Sequence, residues 1–257
     1  MNPMIDKAMN PIVVVFALMV AMTVPAHAAY EEAAVADGGT LTGVVRFAGT
    51  PPTLAPLPVN KNRDVCGESK PAEALVVGAD RGVKGSVIMI EGITRGKKSQ
   101  GDVVIDNAKC VFAPHVAAVM AGGRARVKNS DAILHSTHFQ SKVLRFNLAL
   151  PNQNQTIDIT KRLTKPAALR VLCDAHPHMM GWLVVHDSPY FATTDERGAF
   201  RIDGIPAGTY KVTMWHEGFR QKGSDKDGRP LYEDPVTITK DLTIAPKATA
   251  TLDFELK

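Results

Sequence analysis

The sequence predicts an all-β protein. Short β-branched and apolar runs closed by Gly and Pro recur along most of it, and no window carries the 3.6-residue periodicity of a long amphipathic helix. The 257 residues contain 20 Gly and 17 Pro, which supply the turns between such runs. Strands at this spacing assemble into sandwiches or barrels. With 45% hydrophobic and 22% charged residues, the composition is that of a globular chain of one large or two modest domains. A disordered chain, a collagen-like repeat and a polytopic membrane protein are excluded.

The first 28 residues read as a cleaved secretory signal: Lys7 near the start, an apolar run over 12–24, and Ala26-His27-Ala28 at the positions a signal peptidase reads. The apolar run is shorter than the ~20 residues of a membrane-spanning helix. An uncleaved anchor is the lesser reading, because Asp6 sits beside Lys7. A mature protein without a membrane span, in the periplasm or secreted after cleavage near Ala28, is expected. The formal charge is +4. The basic residues are scattered among acids and do not alternate with aromatics, so nucleic acid is not an expected partner.

Residues 29–38 are Ala- and Glu-rich and unpatterned, an expected disordered lead-in. Strand-like runs then follow at 41–47, 85–90, 102–105, 125–128, 168–172, 182–185, 199–202, 210–215, 235–239 and 250–256. Between the runs at 168–172 and 182–185 lies Cys173-Asp-Ala-His176-Pro-His178-Met179-Met180-Gly-Trp182, which reads as a tight loop joining two adjacent strands. A thiolate, an imidazole and a thioether within seven residues can meet at one point. Soft sulfur with imidazole selects copper among biological metals, and two His, one Cys and a long axial Met is the blue-copper set.

A second histidine must come from elsewhere, and Asn129-x5-His135-x2-His138 follows an apolar run. This segment, the upstream Phe112-Ala-Pro114-His-Val116 with Gly122-Gly123, and the Cys-x2-His-Pro-x-Met-x-Gly loop together resemble the cupredoxin family, in particular its short-loop, amicyanin-type members. The resemblance implies a Greek-key sandwich over about residues 96–187, starting as early as 85. It also implies His135, Cys173 and His176 as equatorial copper ligands and Met179 as the axial one. Zinc is the alternative, held by Cys173, His176, His135 and His138, but it leaves Met179 without a role. By the family pattern His138 points away from the metal or hydrogen-bonds nearby, Met180 is the competitor for the axial place, and Asn129 locks the loop of the first ligand. His178 stands where the motif usually has Phe or Trp. It is either a surface substitution or a polar spot on the face where an exposed His176 meets a partner.

With Cys173 assigned to metal, Cys66 and Cys110 are expected to form one disulfide in an oxidising compartment. A second metal site at Cys110 and His115 competes with it. His186 is expected at the surface, and Trp215-His216-Glu217 at a strand end with an exposed tip.

Residues 188–257 carry Asp195-Glu-Arg-Gly198-Ala-Phe200-Arg-Ile202 and Pro206-Ala-Gly208-Thr-Tyr210-Lys-Val212. This part resembles the carboxypeptidase regulatory-like module, a transthyretin-like β-sandwich. Asp195 to Gly198 and Pro206 to Gly208 would form its turns, and Phe200 and Tyr210 would pack its core. The segment is thin by itself, so residues 39–95 are expected to complete it as a discontinuous domain. Peptidase chemistry is not implied: the sequence has no His-Glu metal pair at protease spacing and no Gly-x-Ser-x-Gly. The expected function is a one-electron carrier rather than an enzyme, serving a periplasmic redox protein such as a c-type cytochrome or a dehydrogenase. The alternatives are a copper chaperone or store, and a non-redox adhesion or carbohydrate-binding sandwich.

Overall fold

The computed structural model describes residues 30–99 and 101–257. The signal sequence expected over 1–28 lies outside the described residues. Almost every described element is a strand; the exceptions are the four-residue helix Arg63–Cys66 and the 3-10 turn Thr160–Arg162. No helix among the described residues is long and apolar enough to cross a membrane.

Two sandwiches share the chain. In the first, one sheet runs in the order Val111–Ala113, Val103–Ala108, Ala125–Asn129, Thr156–Asp158. The facing sheet runs Val116–Met120, Met180–His186, Ala167–Leu172, His135–Gln140, Arg145–Leu150. Strict alternation decides which side chains enter: in Arg145–Leu150, Phe146, Leu148 and Leu150 are buried while Arg145, Asn147 and Ala149 are exposed. Phe139 and Phe146, paired across strands, stack with centroids 4.6 Å apart. Such a pair adds about 0.5–1.5 kcal/mol beyond its buried area. Fully buried Ile105, Val127, Phe139, Leu150, Leu169 and Leu183 form the centre of this core.

The second sandwich is built from both ends of the chain. Gly39–Phe47 pairs antiparallel with Ala199–Ile205 and parallel with Thr249–Thr251 and Phe254–Leu256. The other sheet runs Phe191–Thr193, Val87–Ile90, Gly208–His216, Val236–Ile244. The turn at Asp195–Gly198, expected to close a hairpin, instead links Phe191–Thr193 of one sheet to Ala199–Ile205 of the other: Asp195 Oδ1 accepts from the amides of Arg197 and Ala199, and Gly198 takes the left-handed φ of +73°. Phe200 is buried in the core and Tyr210 packs against it.

Residues 30–38 correct the expectation of a disordered lead-in. Glu31–Glu32 pairs with Arg95–Gly96, and Tyr30 stacks edge-on to Tyr190 and donates to Lys97 O at 2.7 Å. One half-buried aromatic with a hydrogen-bonded hydroxyl, together with the short strand pairing, docks a segment whose other residues carry no pattern.

The sandwiches meet along Val87, Val116, Val184 and Trp215, with Trp182 and Trp215 in T-shaped contact at 5.2 Å. The surface position expected for His186 and the exposed tip expected for Trp215-His216-Glu217 are both corrected: all four residues are buried. His186 Nε2 donates to Ile90 O at 3.1 Å. Glu217 accepts a hydrogen bond from the Trp182 indole N–H at 2.9 Å on one oxygen and bonds His115 Nε2 through the other. Polar side chains enter this seam because each finds its partner on the opposite sandwich, which offsets the cost of burial.

Candidate metal centre

The ligand loop is short because its strands are antiparallel neighbours. Ala167–Leu172 ends and Met180–His186 begins on opposite sides of one tight connection. Within it Met179 N donates to His176 O at 2.9 Å and Cys173 N to Met179 O at 3.3 Å. Gly181 lets the departing strand pass His115, whose carbonyl oxygen would lie 2.6 Å from any Cβ at that position.

His135 opens the strand that pairs with Ala167–Leu172, and the pairing carries its ring to the loop. Cys173 Sγ lies 3.9 Å from His135 Nδ1 and 3.6 Å from His176 Nδ1. All three side chains are buried. Metal bonds of about 2.0–2.3 Å place two donors of one ion at such separations, so these three atoms can share one. Met179 is fully buried in the same loop and in the same core cluster as Cys173; Met180 instead opens the departing strand and is partly exposed.

The free electron pairs point the right way because other atoms hold the ring protons. His135 Nε2 donates to Asp131 Oδ2 at 3.0 Å, and His176 Nε2 to Asn62 Oδ1 at 3.0 Å. Each ring therefore presents its unprotonated Nδ1 to the thiol. Burial, reinforced by the neighbouring His135 and Lys61, holds the His176 pKa down to about 4. Burial lowers His135 as well, against the opposing pull of Asp131. Both imidazoles are thus neutral near pH 7, as metal ligation requires.

The support around this set is specific. Asn129 donates to Ile133 O and Leu150 O, both at 2.9 Å, and accepts from Asp131 N at 3.1 Å, which fixes the loop leading to His135. Ser136 N donates to Cys173 Sγ at 3.4 Å. Arg229, 6% exposed, sends its two terminal nitrogens to Met179 O at 3.0 Å and Cys173 O at 2.7 Å.

His138 faces away from the other predicted ligands, on the opposite side of its strand, and bonds Asp174 at 3.1 Å. One thiolate with three imidazoles is therefore not assembled here. His178 corrects the expectation of a surface position. It is 5% exposed, edge-on to His176 with centroids 5.7 Å apart, and lowered to about 4 first by burial and then by His176. The expected exposed edge of His176 is likewise absent: that ring is 1% exposed. Cys66 and Cys110 form the disulfide, which leaves no thiolate at Cys110 for a second site with His115. Cys110 and Asp131 do lie close to His135. With its sulfur oxidised Cys110 is no ligand, and Asp131 is a partner of the ring.

Sequence reasoning missed Asp131, Asn62 and Arg229. Asp131 stands four residues before His135 and was open to the same reading as Asn129. Asn62 and Arg229 reach the loop through tertiary structure alone.

Residues 183–257 match the family model of the carboxypeptidase regulatory-like domain. No characterised protein sequence matches the chain. Among solved structures, a copper-containing nitrite reductase from Thermus scotoductus SA-01 is similar at 19% identity and a TM-score of 0.30, over 35% of this chain and 23% of that one. A Cu(I) form of an amicyanin variant is similar at 23% identity and a TM-score of 0.29, over 38% of this chain and 98% of that one. A purple cupredoxin from Nitrosopumilus maritimus is similar at 18% identity and a TM-score of 0.28, over 33% of this chain and 99% of that one. The last 75 residues are thus similar to the carboxypeptidase regulatory-like domain, and the centre beside them is defined by its own donors: the ring nitrogens of His135 and His176 and the sulfur of Cys173, all buried.

Proposed function

We propose that the protein is a periplasmic type 1 copper protein that carries one electron at a time through His135, Cys173, His176 and Met179. The observation that carries this reading is the convergence of His135 Nδ1, Cys173 Sγ and His176 Nδ1, with both Nε2 protons already engaged by Asp131 and Asn62. When bound, copper supplies a Cu(II)/Cu(I) couple whose two states favour different ligands and geometries.

The chain's own part is to resist rearrangement. Asn129 and Asp131 hold the His135 loop, Asn62 holds the His176 ring, and Arg229 ties the two ends of the loop from Cys173 to Met179. Ser136 N draws density from the thiolate sulfur, and the guanidinium places a fixed positive charge beside it; both favour the reduced state. A c-type cytochrome or a dehydrogenase of the same compartment fits as exchange partner.

The covered His176 favours electron traffic over delivery of copper, since an electron crosses a packed layer of side chains and an ion must break its ligands to leave. The test is voltammetry of the copper-loaded protein together with a Cu(I) competition against a chelator. A reversible one-electron wave with slow loss of copper is expected. Rapid transfer of Cu(I) without a reversible wave would make the protein a chaperone or store instead. Periplasmic fractionation with a mature N-terminus near Ala29 is the expected result for location; a full-length cytoplasmic product would contradict it.

A further inference from the structure

The segments that close over the ligand loop do not come from the sandwich that bears it. The first is the long connection between Gly39–Phe47 and Val87–Ile90, two strands of the second sandwich. It inserts Val59 into the first sandwich's core, where it is fully buried, and is tied down by the Cys66–Cys110 disulfide. Between these anchors Asn62 takes a left-handed φ of 53° ahead of the helix Arg63–Cys66, and its carboxamide oxygen meets His176 Nε2.

The second is the connection between Gly208–His216 and Val236–Ile244, again strands of the second sandwich. Its hairpin Gln221–Ser224 with Pro230–Tyr232 is closed by Asp225, which accepts from Arg229 N at 2.9 Å and pairs with its Nε at 3.7 Å, while the two terminal nitrogens reach Cys173 O and Met179 O. The two connections adjoin: a Cβ at Gly228 would lie 3.7 Å from Asn60 Nδ2.

We propose that these two connections are a built-in cover for the metal centre, in which Asn62 and Arg229 are positioning residues and the second sandwich occupies the face at His176 that a docking protein or an external ligand would otherwise use. The proposal rests on the copper reading of the centre. A carboxamide oxygen only accepts, so Asn62 selects the tautomer of His176 that has Nε2 protonated and Nδ1 free. Arg229 remains a cation despite its burial and fixes both carbonyls that bracket the loop. Partners of ligating residues of this kind are worth about 10–100-fold in metal affinity. Electrons then enter or leave by a route other than direct contact at the His176 edge.

Asn62→Gly tests this with little strain, because glycine accepts the left-handed backbone. In the copper-free full-length protein, nitrogen-15 spectra of His176 are expected to show the Nε2–H tautomer alone, a mixture in Asn62→Gly, and recovery in Asn62→Asp, which keeps the accepting oxygen. In the copper-loaded protein, azide is expected to leave the paramagnetic resonance spectrum of the parent unchanged and to perturb that of Asn62→Gly. Oxidation of the reduced variant by hexacyanoferrate should be at least tenfold faster than that of the parent. Arg229→Met should lower the midpoint potential, with Arg229→Lys between it and the parent. Equal azide perturbation of parent and Asn62→Gly, or an unchanged His176 tautomer in that variant, would overturn the cover. Failure of the parent to show any thiolate-to-copper band would reject the copper reading, while the copper-free tautomer measurement would still decide on Asn62.

Discussion

The metal centre and the seam between the sandwiches each enclose a histidine with polar neighbours, and they treat it in opposite ways. At the centre, burial pushes His176 down to about 4, and its partner Asn62 carries no charge to resist this. At the seam, burial also works to lower His115, but Glu217 in direct contact and Glu73 nearby outweigh it and hold its pKa above the ordinary value. One ring keeps a lone pair for a metal; the other keeps a proton and joins two sandwiches. The difference lies in how much negative charge opposes burial: Glu217 and Glu73 together outweigh it at His115, the single carboxylate of Asp131 does not at His135, and Asn62 offers His176 none.

Four results would break or sharpen this contrast. Cys173→Ser should remove the thiolate-to-copper absorption entirely and leave the seam untouched; a variant that keeps the band would show that the sulfur is not a ligand. Cys66→Ser with Cys110→Ser should lower unfolding stability by roughly 4 kcal/mol on the chain-entropy model, read by urea denaturation. A loss confined to the cover, seen as faster hydrogen exchange near Asn62 at unchanged midpoint, would localise the disulfide's effect instead. Glu217→Gln leaves His115 and Trp182 without their carboxylate. A cost of about 3 kcal/mol with an unchanged copper spectrum is expected, since one partner of a buried pair is then missing.

The smallest effect is in the pH dependence of the metal-free protein. His176 and His178 titrate near 4 in the fold and near 6.5 when unfolded, so the unfolded chain takes up more protons between these values. Stability should therefore fall as pH drops from about 6.5 towards 4. His115, raised in the fold, has the opposite sign: its contribution is present below about 6.5 and is lost as pH rises through its raised value. Glu217→Gln should remove only the alkaline part of the profile. An acid limb that disappears with Glu217→Gln would contradict the assignment of the two clusters.

What was legible in the sequence follows from distance along the chain. The all-β class showed in alternating runs such as 41–47 and 168–172, and the loop from Cys173 to Met179 showed because its donor atoms lie within one turn. The hairpin His135–Gln140 with Arg145–Leu150 was obscured by its polar half, since Ser136, His138, Arg145 and Asn147 face outward. The seam was misread because Glu217 and His186 are surface types whose partners, Trp182 with His115 and Ile90, are supplied by another sandwich. Asn62 and Arg229 left no local mark at all: their contacts to His176 and Cys173 span 114 and 56 residues.

The most direct test of the account is the visible and paramagnetic resonance spectrum of the copper-loaded full-length protein. An intense thiolate-to-Cu(II) band that bleaches on reduction and returns on reoxidation is the predicted result. A colourless copper complex without a reversible redox response would contradict it.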